Sequence, residues 1–72
     1  MQILVRDRNN HPVKNTKVFI KWSDGTSTVY TDDAGSAEVT TNGHIVYTDI
    51  FGDKHYHEVN TRDVNVIRHQ LR

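Results

Sequence analysis

The chain contains no cysteine. That excludes a disulfide framework and any thiolate metal site, so a chain of 72 residues has to hold its fold by packing alone. At this size the margin is small, because a domain of about 60 residues buries only roughly 60% of its extended-chain surface. Long apolar runs are missing too. The N-terminal run, Ile3-Leu4-Val5, is followed at once by Arg6 and Asp7. A secretory leader needs roughly 7–15 apolar residues and a bilayer span needs ~20. No membrane partner is expected, and a complete chain would stay in the cytoplasm.

Charge of one sign is also lacking: nine Lys and Arg stand against nine Asp and Glu. No global field draws the chain to nucleic acid, which is not expected as a partner. Five histidines add positive charge only as pH falls through about 6.5. Catalytic patterns are absent as well. Ser23, Ser27 and Ser36 stand in no nucleophile elbow, Glu38 and Glu58 have no assigned partner, and Gly25, Gly35, Gly43 and Gly52 are dispersed turn residues that build no phosphate loop. The expectation is a protein that is not an enzyme and carries no cofactor.

Apolar positions never recur at helical spacing over a useful length, whereas short alternating runs rich in Val, Ile, Thr and Tyr recur between turn signals. The pattern predicts one all-β domain over residues 1–72, a small antiparallel β-sandwich of six or seven strands, immunoglobulin-like or prealbumin-like in class. Strands are expected at about Gln2–Asp7, Thr16–Ser23, Thr26–Thr31, Ser36–Thr41, His44–Asp49, Lys54–Val59 and Val64–Leu71. Asp24-Gly25 and Asn42-Gly43 read as tight hairpin turns, since such turns need φ > 0. Thr61-Arg62-Asp63 reads as the connection to the last strand.

The organising turn is Thr31-Asp32-Asp33-Ala34-Gly35-Ser36-Ala37. Asp32 can accept backbone N–H groups there, and Gly35 can take φ > 0 without a Cβ clash. Alternation assigns Ile3, Val5, Val18, Ile20, Trp22, Val39, Ile45, Tyr47 and Val66 to the core; in the third strand either Val29 or Tyr30 points inward.

Three groups of residues could carry function. His55 and His57 stand at alternate positions of a strand, so their imidazoles share one face and could share a metal ion, with Asp53, His44 or Asp49 as a third ligand; the simpler reading is two histidines on a solvated face. Trp22 beside its turn could stack on a sugar, although its alternation with Val18 and Ile20 argues for the core. Phe19 between Lys17 and Lys21, with Val46 on a later strand, falls on the outward side; it is either covered by an oligomeric or partner contact, the candidate interaction surface, or a scattered exposed apolar group that needs no explanation.

The turns also resemble a known group, the transthyretin-like or carboxypeptidase-regulatory-like β-sandwiches, close in architecture to Cna-B-type domains. The resemblance rests on Val5-Arg6-Asp7, His11-Pro12-Val13, Asn15-Thr16-Lys17-Val18 and Thr31-Asp32-Asp33-Ala34-Gly35-Ser36-Ala37. It implies a sandwich and an accessory role. His11 stands where the family usually has Gly before Pro. The hydroxyisourate hydrolases of that group carry a first-strand histidine where this chain has Leu4, and their Tyr-Arg-Gly-Ser tail does not match His69-Gln70-Leu71-Arg72. The isopeptide lysine of Cna-B domains is matched by Arg6, whose guanidinium does not supply that amine.

Two functions remain. One is a non-catalytic interaction module, binding an unknown protein partner or forming a homo-oligomer. The alternative is a ligand-binding module, taking metal at the histidines or carbohydrate at the aromatic turn.

Overall fold

Seven alternating segments form strands in the computed structural model, which describes residues 1–40, 43–58 and 64–72. They are β1 (Gln2–Arg6), β2 (Lys17–Trp22), β3 (Gly25–Tyr30), β4 (Ser36–Glu38), β5 (Ile45–Ile50), β6 (Asp53–Tyr56) and β7 (Val66–Gln70). One sheet has the order β4-β1-β7 and the other β3-β2-β5-β6. The fold is an all-β sandwich, and among the described residues there is no helix. The expected connection Thr61-Arg62-Asp63 lies outside the described residues, as do Thr41, Asn42 and the expected strand end at Val59.

The core lies between the sheets. Ile3 and Val5 of β1, Ile67 of β7 and Val39 meet Val18 and Ile20 of β2 and Ile45 and Ile50 of β5, and all are buried. Trp22 and Val29 pack against this cluster while half-buried, so the inward choice in β3 falls on Val29 and Tyr30 is exposed. Trp22 spends its indole N–H on Ser27 Oγ at 3.2 Å.

The turn at Asp32 ties the sheets' ends together. Asp32 Oδ1 accepts N–H bonds from Ala34 at 2.9 Å and Ser36 at 3.0 Å. Gly35 has φ +72°, and a Cβ there would lie 2.6 Å from Val5 O. That oxygen already accepts the Val13 N–H, and Gly35 O accepts the Val5 N–H at 2.8 Å. Arg6 closes the far side, its Nη1 donating to Ala34 O at 2.8 Å.

Several sequence expectations need correction. Between Lys21↔Tyr47 and Trp22↔Ile45 the register shifts, leaving Val46 as the extra residue of a bulge. The bulge reverses the alternation, so Ile45, Thr48 and Ile50 are buried and Tyr47 leaves the core for the outer face. In β7 the phase is opposite to expectation. Its pairing with β1 matches Ile3 to Ile67 and Val5 to His69, which turns Ile67 and His69 inward and leaves Val66 half-buried. This pair is parallel, while every other strand pair is antiparallel. Parallel neighbours need a long connection, and β7 is reached from β6 in the opposite sheet.

Two turns also differ. Trp22 pairs with Gly25, so the two-residue loop is Ser23-Asp24 and Gly25 opens β3 without positive φ. β4 and β5 belong to different sheets and so do not pair as the hairpin expected at Asn42-Gly43, of which Asn42 lies outside the described residues.

Candidate functional site

The outer face of the four-stranded sheet carries a row of aromatic rings. Outward positions alternate along each strand, and the register lines up Lys17, Phe19 and Lys21 of β2 with Asp49 and Tyr47 of β5 and with Lys54 and Tyr56 of β6. The Phe19 and Tyr47 ring centroids are 6.3 Å apart, and those of Tyr47 and Tyr56 are 5.5 Å apart, both tilted. Lys54 Nζ sits 5.2 Å from the centre of the Tyr47 ring, within cation–π range. Lys17, Lys21 and Lys54 stand against Asp49 and the exposed Glu58, which follows Tyr56 in the same alternation, so this face has a small positive excess although the chain as a whole is neutral.

Phe51 extends the row at its rim. It occupies the β5–β6 hairpin loop with Gly52, and both residues have positive φ, 53° for Phe51 and 81° for Gly52. This turn favours Asn, Asp or Gly at both places, and a bulky residue there is strained. Phe51 is nonetheless 84% exposed. It borders an open groove of about 320 Å³ with Lys17, Phe19 and Asp49. The sequence marks Phe19 by its place between two lysines, whereas alternation alone does not bring Phe51, Tyr47 and Tyr56 to this face. The signal for Phe51 is a large aromatic residue directly before a turn glycine. Val46, expected on this face, is instead the half-buried bulge residue, whose carbonyl accepts the His57 N–H at 2.9 Å.

A second cluster fills the inner side of the same flank, where β6 and β7 are edge strands of their sheets. Asp53, His55 and His57 alternate with the exposed Lys54 and Tyr56 and so turn inward together. His69 meets them from the other sheet. The ring centroids of His55 and His57 are 4.8 Å apart, and those of His55 and His69 are 5.2 Å apart. Thr48, fully buried, joins two of the rings: its Oγ1 is 3.1 Å from His57 Nε2 and 2.5 Å from His69 Nδ1. A hydroxyl has one proton to give, so it donates to one ring and accepts from the other.

Burial holds His57 neutral, its pKa pushed down to about 4, with His55 and His69 adding repulsion. Burial also lowers the pKa of His69, with His55 adding to the effect, while Asp53 and Asp49 oppose it. Near neutrality these two rings are therefore uncharged. His69 is 1% exposed, and its Nε2 has no hydrogen-bond partner. The nearest carboxylate oxygen to it, Asp53 Oδ2, is 3.8 Å away, too far for a hydrogen bond.

The structure thus brings His55 and His57 together with Asp53, as the sequence suggested, and adds His69 and Thr48. His44 is an exposed residue outside β5, and Asp49 points to the outer face. Among the described residues no group of three or more His, Asp or Glu side chains could hold a metal ion. Among them, too, no helix is long and apolar enough to cross a membrane. No known protein family matches the chain, and no curated protein is significantly similar to it.

Proposed function

We propose that the chain is a non-catalytic interaction module that binds a partner protein through the outer face of its four-stranded sheet, at Phe19, Tyr47, Phe51 and Tyr56. The observation that carries this reading is Phe51. A phenylalanine held in the left-handed region strains the backbone, and its ring, exposed to water, gains no burial on folding to offset that strain. Residues that strain the backbone concentrate at binding sites, where a partner recovers the cost. The aromatic row beside it supplies rigid contact area of the kind enriched at the centres of interfaces.

The charges select the partner's chemistry. Lys17, Lys21 and Lys54 outnumber Asp49 and Glu58 on this face, which favours an acidic segment with apolar or aromatic side chains over a second copy of the same face. The resemblance of the turns to those of the transthyretin-like and carboxypeptidase-regulatory-like sandwiches is in keeping with an accessory module. The half-buried Trp22, already bonded to Ser27, favours this face over the aromatic turn as the binding element.

Selection of displayed random peptides on the folded protein, with Phe51→Asn and Tyr56→Ser as counter-targets, tests the reading. Enriched sequences should combine Asp or Glu with aromatic residues and should shift the amide resonances of Phe19, Tyr47 and Tyr56. Neutral or basic winners, or shifts confined to the other sheet, would overturn it. Sedimentation of the protein alone at pH 7.5 decides on self-association: a dimer lost in Tyr56→Ser would replace the acidic partner by a second copy.

A further inference from the structure

The two sheets have four edge strands, β4 and β7 of one and β3 and β6 of the other. An edge presents unpaired N–H and C=O groups to any strand that comes beside it, and proteins commonly guard such edges with charge, proline, bulges or shortness. Three of the four are guarded. β4 has three residues and carries Glu38, β6 has four and carries Asp53 and Lys54, and β7 carries the exposed Arg68. β3 has none of these features. Gly25-Thr26-Ser27-Thr28-Val29-Tyr30 runs for six residues without a charge or a proline, and it pairs with β2 in unbroken register.

The ladder fixes which backbone groups of β3 are free. The Thr31 N–H donates to Thr16 O at 3.0 Å, one step beyond the Lys17↔Tyr30 pair, so the hydrogen-bonded pairs are Val18↔Val29, Ile20↔Ser27 and Trp22↔Gly25. The N–H and C=O groups of Thr26, Thr28 and Tyr30 therefore point away from β2, and among the described residues nothing bonds them there. Their side chains stand exposed on the outer face. Antiparallel self-pairing satisfies all these groups in one register, the one with Thr28 on a two-fold axis. Thr28 then faces Thr28 of the second copy and Thr26 faces Tyr30 on either side, three pairs with two hydrogen bonds each. The side chains agree with that register. Thr opposite Thr is a favourable cross-strand pair, and no like charges meet because the strand has none. A foreign strand would have to be matched to this edge, whereas a second copy matches it by symmetry, and a chain of zero net charge sets up no repulsion between copies.

We propose that the free edge of β3 is a homodimer interface, at which two copies pair antiparallel about Thr28 and join their four-stranded sheets into one continuous sheet of eight strands. The same residues serve on both sides, as a two-fold contact requires. This interface is independent of the aromatic face and stands whether or not that face binds a partner. Its consequence for that face is geometric. Phe19 pairs with Thr28, so the two Phe19 residues lie in one row across the joined sheet, three strand spacings or about 14 Å apart. The dimer thus presents two aromatic faces on one surface.

The test is sedimentation of the protein at pH 7.5 over rising concentration up to near-millimolar, with amide hydrogen exchange of the dilute and concentrated samples. A dimer should form as concentration rises. In it the amides of Thr26, Thr28 and Tyr30 should gain protection, while those of Ser27 and Val29, already bonded to β2, change little. Thr28→Lys sets two like charges opposite each other on the axis and should weaken the dimer at least tenfold. Thr28→Pro removes an N–H that points away from β2, leaves the β2 ladder intact and should weaken the dimer as much. Because Thr28 is exposed, dilute Thr28→Lys should unfold in urea at the wild-type midpoint. Tyr56→Ser, on the opposite edge strand of the sheet, should dimerise as wild type does. A monomer at every concentration, a dimer unaffected by both Thr28 substitutions, or protection gained in β6 in place of β3 would each overturn the interface, and a dimer lost in Tyr56→Ser would move it to the aromatic face.

Discussion

Gly35 and Phe51 both have positive φ, and they reach it for opposite reasons. At Gly35 the backbone of β1 passes so close that a Cβ would overlap Val5 O, so the glycine is required by packing as well as by its torsion angle. Gly35→Ala should lower stability by roughly 2–4 kcal/mol, combining left-handed strain with a backbone overlap. Urea melts should show the midpoint falling; an unchanged or raised midpoint would contradict the turn. At Phe51 the opposite change is expected. Phe51→Asn places a residue that tolerates the left-handed region in a turn that favours it, and should raise stability by about 0.5–1 kcal/mol. The turn at Asp32–Gly35 was legible in the sequence because its chemistry is local. The strain at Phe51 was not, since an aromatic in a turn contradicts turn chemistry and only the observed torsion angle places it there.

Individual strands were readable wherever alternation stays unbroken. In β2, Val18, Ile20 and Trp22 turn inward and Phe19 outward as the pattern indicates. Alternation misleads in β5 and β7, for two physical reasons. A bulge changes the side-chain phase partway along a strand, and nothing in His44-Ile45-Val46-Tyr47 marks which residue is extra. Around β7, Val64 and Val66 offer apolar side chains in one phase and Ile67, His69 and Leu71 offer apolar or amphipathic ones in the other, and the choice is made by the pairing with β1. That pairing carries His69 into the interior, so the histidine cluster could not be assembled from the sequence beyond its strand-local pair, His55 and His57. The phase of β7 gives a direct prediction. Ile67→Ala should cost about 2–5 kcal/mol as a buried truncation, and Val66→Ala less than about 1 kcal/mol. Equal losses in guanidinium melts would return Val66 to the core.

Over the whole molecule, one flank of the sandwich is polar inside, and this makes stability depend on acid. His57, facing His55, His69 and Thr48, has its pKa depressed to about 4 in the folded state, against an ordinary value near 6.5. Between these values the unfolded chain binds a proton that the folded chain refuses, so stability falls as pH drops from about 6.5 and the loss is complete near 4. With His57 partly exposed, the contribution is about 2 kcal/mol. His69 is depressed in the same direction and adds to the loss over the same range, moderated by Asp53 and Asp49. Below this a second set takes over. Backbone N–H bonds hold the carboxyls of Asp32 and Asp7 below their ordinary value of 3.8, so the stability they contribute is present above that value and disappears as they protonate. Denaturant midpoints measured from pH 8 to pH 3 should therefore decline in two stages. His57→Gln should flatten the first stage, and Asp32→Asn should flatten only the second. A first stage that persists unchanged in His57→Gln would mean that the flank is not the acid-sensitive part of the molecule, and that the neutral imidazoles between its two edge strands do not hold it closed.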